Sequence, residues 1–279
     1  MGTVYSIINV VFPQYGLFII VGVVLSATIS VFLKKRKCID WFDFLCASVF
    51  ILIGALVGSK ILYVIVSIEI IVELKLSFEE IMRGGFVFYG GLLGGALGLW
   101  LFCKQFKLNF YDYADVCAVV VPLGHAFGRV GCFFSGCCYG IEYDGFLSYT
   151  YDNSINYLTP IGRPLLPIQL IEATLLLILF LGGLVLFLRK SETSIPTILY
   201  LTSYSIIRFI LEFFRGDVER GVAVGLSTSQ WISILIMEKY INHHDLSPTR
   251  KYTRRQVVSW DSHQSRQSHQ SQQGIIMVV

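Results

Sequence analysis

The sequence predicts an all-α, polytopic integral membrane protein of about seven transmembrane helices, and three observations carry that expectation. Of its 279 residues 54% are hydrophobic and 15% are charged, whereas soluble domains carry about 25% charged residues. Apolar runs close to the ~20 residues that cross a bilayer core recur along the chain, which has a mean hydropathy of +0.66. Basic clusters close every second run: Lys34 to Lys37, Lys104 with Lys107, and Arg189 with Lys190. A formal net charge of +3 is too small to support a nucleic-acid partner.

Taken in order, the first span is expected from Tyr15 to Leu33 and the second from Phe42 to Ile68, with Lys60, Gly54, Gly58 and Ser59 inside it. Between Glu69 and Arg83, acids (Glu73, Glu79, Glu80) alternate with apolar residues (Ile71, Leu74, Phe78), as in an amphipathic segment lying on a membrane surface. The third span runs from Gly85 to Cys103 and the fourth from Ala114 to Phe134, followed by a polar loop to Pro164. The remaining spans are Pro167 to Leu188, Ile195 to Phe214 and the short Val222 to Met237.

Basic residues concentrate in cytoplasmic loops, so the three basic ends lie inside, the N-terminus outside and the C-terminus inside. The residues before Pro13 lack the basic n-region of a cleaved leader. Residues 1–237 then form the membrane-embedded domain. Residues 238–279 form a polar tail, rich in Ser, Gln and His between Ser259 and Gln273, whose composition cannot bury a core and reads as disordered. This topology brings Tyr15, Tyr89 to Gly91, the stretch from Arg129 to Gly140, and Arg208 with Glu212 to the outer halves of their spans. They are expected to share one site.

Arg129 and Arg208 dominate that site. A charge at the bilayer centre costs at least ~2.5–3.5 kcal/mol, and a guanidinium stays charged while presenting a planar fork suited to phosphate or carboxylate. Arg208 and Glu212 are one turn apart and can pair, whereas Arg129 has no acid near it in sequence. His125, four residues before Arg129, shares its helix face and is either a general base or a hydrogen-bonded structural group. Gln169 and Glu172 line one face of the fifth span, and Glu172 is expected to pair with an arginine or with Lys60.

The glycine pairs of the third span follow no strand, so they read as close helix packing and not as a phosphate loop. Seven scattered cysteines make no disulfide scaffold. The C-x4-C-C spacing of Cys132, Cys137 and Cys138 lacks the knuckle of a zinc site. No metal is expected there; small buried residues account for these cysteines, with thiol, redox or metal chemistry as the weaker alternative.

The stretch Gly128-Arg129-Val130-Gly131-x-Phe133 through Gly140 resembles the signature of the prolipoprotein diacylglyceryl transferase family. The resemblance extends in order through Tyr15-Gly16, Gly58-Ser59-Lys60, Tyr89-Gly90-Gly91-Leu92, Pro167 to Ala173, Arg208 to Arg215 and Ser229-Gln230-Trp231, covering about Tyr15 to Met237. It implies a seven-helix enzyme of the bacterial plasma (inner) membrane that needs no cofactor. Such an enzyme moves a diacylglyceryl group from phosphatidylglycerol to the lipobox cysteine of a prolipoprotein signal peptide, releasing glycerol phosphate.

On that resemblance Arg129 and Arg208 hold the headgroup and the leaving phosphate, Glu212 orients Arg208, and Tyr15 borders the lipid cavity. Tyr89 and His125 are the further catalytic candidates, and Gly90, Gly91, Gly131, Cys132, Cys137, Gly140, Gln169 and Glu172 are expected to border the substrate. The chain departs from the family pattern: Tyr89 stands where His-Gly-Gly is usual, and Cys132 and Cys137 stand where Asn and Glu are usual. A phenol with a pKa near 10 is a poor base for a thiol, which leaves His125 as its substitute. The departures mark a divergent member, for which a non-catalytic phospholipid-binding or transport paralogue is the alternative.

Overall fold

In a computed structural model the apolar runs fold as helices. The structure describes residues 14–83, 85–152, 159–189, 194–217, 222–223 and 225–242. The chain divides into two units, residues 1–241 and 242–279; apart from Asn242, the second lies outside the described residues, and with it most of the tail expected to be disordered.

The first unit is built from α1 (Gln14–Arg36), α2 (Trp41–Val66), two short helices α3 (Ile68–Glu73) and α4 (Phe78–Arg83), α5 (Phe88–Phe106), α6 (Phe110–Ser135), α7 (Ile168–Leu188), α8 (Ile195–Leu211) and α9 (Thr228–Asn242). Among the described residues, five helices are long and apolar enough to cross a membrane: those starting at Tyr15, Trp41, Phe110, Ile168 and Ile195. The helix α5 has a span's length at 19 residues, but its glycines and polar end dilute its hydropathy. At 15 residues α9 is short.

The helix α6 is the axis of the unit. Some 56% of its most apolar window is buried, against 6% for α2. It packs on α1, α7 and α8, while α2 packs on α5. That second crossing is glycine against glycine: a Cβ at Gly94 would run into the Gly54 carbonyl, one at Gly90 into the Gly58 carbonyl and one at Gly98 into the Phe50 carbonyl. Exposed apolar side chains such as Val23, Leu52 and Ile178 ring the outside, which suits a surface solvated by lipid.

Local chemistry moves several boundaries. Asn109 accepts a hydrogen bond from the Tyr111 amide at 3.3 Å, so α6 begins at Phe110 and not at Ala114; an N-cap fixes the first turn whatever its hydropathy. The single amphipathic segment expected from Glu69 to Arg83 is two helices, because Lys75 adopts a left-handed conformation (φ 50°) between them. After α8 the chain tightens into a 3-10 turn, Glu212–Phe214. The expected seventh span starts as a hairpin, β3 (Val222–Ala223) against β4 (Leu226–Ser227), before α9. In the same way the polar loop contains β1 (Tyr149–Thr150) paired with β2 (Pro164–Leu165).

Candidate active site

The site assembles around one buried carboxylate. Pro167 starts α7, and Glu172 in its second turn is 1% exposed. Arg129, near the end of α6, places Nε 3.1 Å from Glu172 Oε2. Arg208 of α8 places Nη1 4.0 Å from the same oxygen and its Nη2 2.6 Å from Glu212 Oε2, one turn along. The Ser229 hydroxyl accepts from Arg208 Nη2 at 3.2 Å, and Tyr204 donates to Glu172 Oε1 at 3.5 Å. The two arginines therefore meet, as the topology predicted, and the acid that Arg129 lacked in sequence is Glu172 from another helix. Lys60, the other partner considered for Glu172, instead donates to the carbonyls of Ile81, Met82 and Gly85.

His125 and Tyr89 flank this centre. The His125 ring stacks on Phe88 with centroids 3.8 Å apart and meets Tyr204 edge-on. Its Nε2 accepts from Arg129 Nε at 3.3 Å and lies 3.8 Å from Glu172 Oε1. An accepting Nε2 places the proton of a neutral ring on Nδ1, and Nδ1 makes no hydrogen bond among the described residues. Tyr89 is bonded through its hydroxyl to Ser233 of α9 at 2.7 Å.

Tyr15, Tyr89, His125, Arg129, Cys132 and Arg208 all line one cavity of about 1550 Å³. From there it extends between α1, α2 and α6 to Ser30, Ile39 and Trp41 near the opposite helix ends. The ion pairs thus leave both guanidinium groups on an open wall.

Gly90, Gly91, Gly131, Cys137, Gly140 and Gln169, expected to border the substrate, do not line the cavity and instead serve packing and hydrogen bonding behind it. Gly131 is pressed by the Tyr15 ring, 3.1 Å from where its Cβ would stand. Gln169 donates to the Cys137 carbonyl at 2.8 Å, and the Gly140 amide donates to the Leu166 carbonyl at 3.1 Å; both hold the segment after α6 against the start of α7. Gly90 and Gly91 pack toward α2.

Left-handed Gly136 (φ 72°) caps α6 and left-handed Cys138 (φ 59°) folds the chain back. The Sγ atoms of Cys132, Cys137 and Cys138 consequently lie within 4.8 Å of one another. Hydrogen bonds from the Cys132 and Cys137 thiols, helped by Arg215 and Arg129, hold the Cys138 thiol well below its ordinary pKa against the opposing effect of burial.

Sequence reasoning missed Arg215 and Asp217, which also line the cavity and form a bidentate pair at 3.0 and 2.6 Å. It missed Tyr204, Ser229 and Ser233 as well. An i, i+2 arginine–aspartate pair just past a span is a readable signal; hydroxyls on helix faces are not.

The family model described as prolipoprotein diacylglyceryl transferase matches residues 3–241. The chain is similar to the phosphatidylglycerol–prolipoprotein diacylglyceryl transferase 2 of Clostridium perfringens, 32% identical over 231 residues, 80% of this chain and 86% of that protein. It is also similar to the phosphatidylglycerol–prolipoprotein diacylglyceryl transferases of Clostridium tetani (32% over 221 residues, 79% and 87%) and Dehalococcoides mccartyi (30% over 236 residues, 84% and 88%). Matched by that family model over residues 3–241 and by these relatives over about four fifths of its length, this multi-pass helical chain belongs to the prolipoprotein diacylglyceryl transferase family.

Proposed function

We propose that this protein transfers a diacylglyceryl group from phosphatidylglycerol to the lipobox cysteine of a prolipoprotein. The observation that carries the reading is the convergence of Arg129 and Arg208 on Glu172 at the wall of a membrane-deep cavity. Two fixed cations stabilise charge developing on a leaving phosphate. Glu212 and Glu172 keep the forks oriented, while Arg208 Nη1, which makes no hydrogen bond among the described residues, is the donor left for a ligand. Tyr15 borders the space for the lipid.

The client thiol attacks the glyceryl carbon; the C–S bond forms as the C–O bond to phosphate breaks, glycerol phosphate leaves with the electron pair, and the thiol proton passes to the departing phosphate or to solvent. We assign seven spans, the five long helices with α5 and α9. The basic ends face the cytoplasm, the N-terminus and the arginines face outward, and the bacterial inner membrane is the setting. Residues 1–237 carry this activity, with 238–279 as an appended tail.

Membranes carrying the protein, given phosphatidylglycerol and a lipobox peptide, are expected to yield lipidated peptide. No more product than an Arg129→Ala control makes would remove the reading. A second reading, a phospholipid-binding or transport paralogue, draws on the engagement of both candidate bases: His125 Nε2 accepts from Arg129 and the Tyr89 hydroxyl is tied to Ser233. Rescue of a transferase-depleted strain by wild-type protein, lost with Arg129→Ala, decides for the enzyme.

A further inference from the structure

The three thiols of Cys132, Cys137 and Cys138 are the cluster that the ion-pair chemistry leaves unused. They come from a helix end and the two residues beyond its cap, and the backbone there is fixed. The Cys137 amide donates to the Cys132 carbonyl at 3.1 Å, Gln169 holds the Cys137 carbonyl at 2.8 Å, and Thr159 donates to the Gly136 carbonyl at 2.7 Å. A left-handed backbone at a non-glycine residue, Cys138, is uncommon and persists where the surroundings impose it.

Three sulfurs within 4.8 Å of one another compare well with a shared ion: thiolates each ~2.3 Å from zinc in a tetrahedron stand about 3.8 Å apart. Side-chain adjustment of an ångström closes that gap. Cys132 and Cys138 line the same cavity as Arg129 and Arg208, and no carboxylate or imidazole completes the cluster among the described residues. The cluster therefore offers three ligand atoms, two of them from residues on the cavity wall.

We propose that Cys132, Cys137 and Cys138 form a three-thiolate site for a soft divalent cation, zinc, whose open fourth position takes the thiol of the substrate. Three protein ligands with one open place is the arrangement of zinc sites that do chemistry, and a thiol bound to zinc loses its proton. The client S–H bond breaks, the proton leaves to solvent, and the sulfur is held as a thiolate beside the two arginines. The metal site stands on geometry alone; its fourth ligand rests on the transferase reading above.

The test uses the full chain in detergent under a phosphine reductant. It is loaded with Co(II) or Zn(II), freed of excess metal and read by metal analysis and by thiolate-to-cobalt charge-transfer absorption. Expected is one ion per chain, with retention falling at least about tenfold in each of C132S, C137S and C138S. Retention is expected to persist when Cys38, Cys46, Cys103 and Cys117 are all changed to Ser. A Cys-containing lipobox peptide, but not its Ser counterpart, is expected to alter the cobalt bands.

Equal retention by wild type and C137S overturns the site, as does a disulfide among the three thiols in protein isolated without reductant. Identical cobalt bands with both peptides remove the substrate ligand. Because metal content is read without turnover, failure of lipid transfer with the ion retained counts against the transferase reading alone.

Discussion

Two clusters of buried charge sit at opposite ends of the central helix α6, and they are built differently. Near its start Asp115, fully buried, accepts from Lys37 Nζ at 2.9 Å, the Ser194 amide at 3.0 Å and the Thr197 hydroxyl at 2.7 Å. Those contacts tie the end of α1 and the start of α8 to α6. Near its end Glu172 is shared by Arg129, Arg208, His125 and Tyr204, with longer contacts, and donors on Arg208 and His125 remain unbonded among the described residues. A carboxylate satisfied by short bonds holds helices together; the one shared by cations beside a cavity is, on the function proposed above, the part that holds a site for an anion.

That contrast is open to experiment. Asp115→Ala removes a fully buried acceptor of three hydrogen bonds and leaves Lys37 only its 3.7 Å contact to Asp112; it is expected to cost about 3 kcal/mol, read as a lowered thermal midpoint in detergent, with phospholipid binding per folded molecule unchanged. Arg208→Lys, which keeps a cation beside Glu212 but loses the planar fork, is expected to reverse the pattern: lipid transfer to a peptide falls about 10²-fold, while the melting temperature moves less than in Asp115→Ala. Equal thermal losses in the two variants would erase the distinction.

A finer comparison deletes one hydroxyl at each end. Thr197→Val removes a short bond to a charged acceptor and is expected to cost about 1.5 kcal/mol in denaturant unfolding. Tyr204→Phe removes only the 3.5 Å contact to Glu172 and is expected to cost less stability than Thr197→Val.

The smallest effect belongs to an exposed carboxylate that serves neither end. Ser77 donates to Glu80 through its hydroxyl and its amide, both at 2.7 Å, and holds the carboxyl below its ordinary value of 4.5. The folded value lies below the unfolded one, so this cap on α4 is complete above pH ~4.5 and is lost as pH falls through the folded value. Hydrogen exchange across Ser77 to Arg83 is expected to quicken below that pH. In Glu80→Gln, which keeps the acceptor, exchange is expected to follow only the intrinsic chemical rate.

Much of the helical layout was legible because a bilayer imposes length and apolarity on the chain itself; the run expected to end at Leu33 closes at Arg36, and the one expected to end at Leu188 ends there. The meeting of Arg129 and Arg208 was legible too, since alternating spans put both at the same depth. Their shared partner was not. Glu172 lies 43 positions from Arg129 and 36 from Arg208, and no local pattern links them.

The cysteines were illegible for another reason. Their spacing argued against a common ligand, and only two left-handed residues in three positions, Gly136 and Cys138, bring the sulfurs together. The amphipathic reading of Glu69 to Arg83 had the right polarity and missed the turn at Lys75, because lysine carries no turn signal of its own.

One consequence concerns the crossing of α2 and α5. With Gly54 against Gly94 and Gly58 against Gly90, the two backbones touch with no side chain between them. At those two points there is no rotamer to change, so the helices are held at the shortest separation their backbones allow. Tyr89 directly precedes Gly90 in that crossing. Its backbone is therefore carried on that packed pair, and its hydroxyl is fixed at the far end by the bond to Ser233.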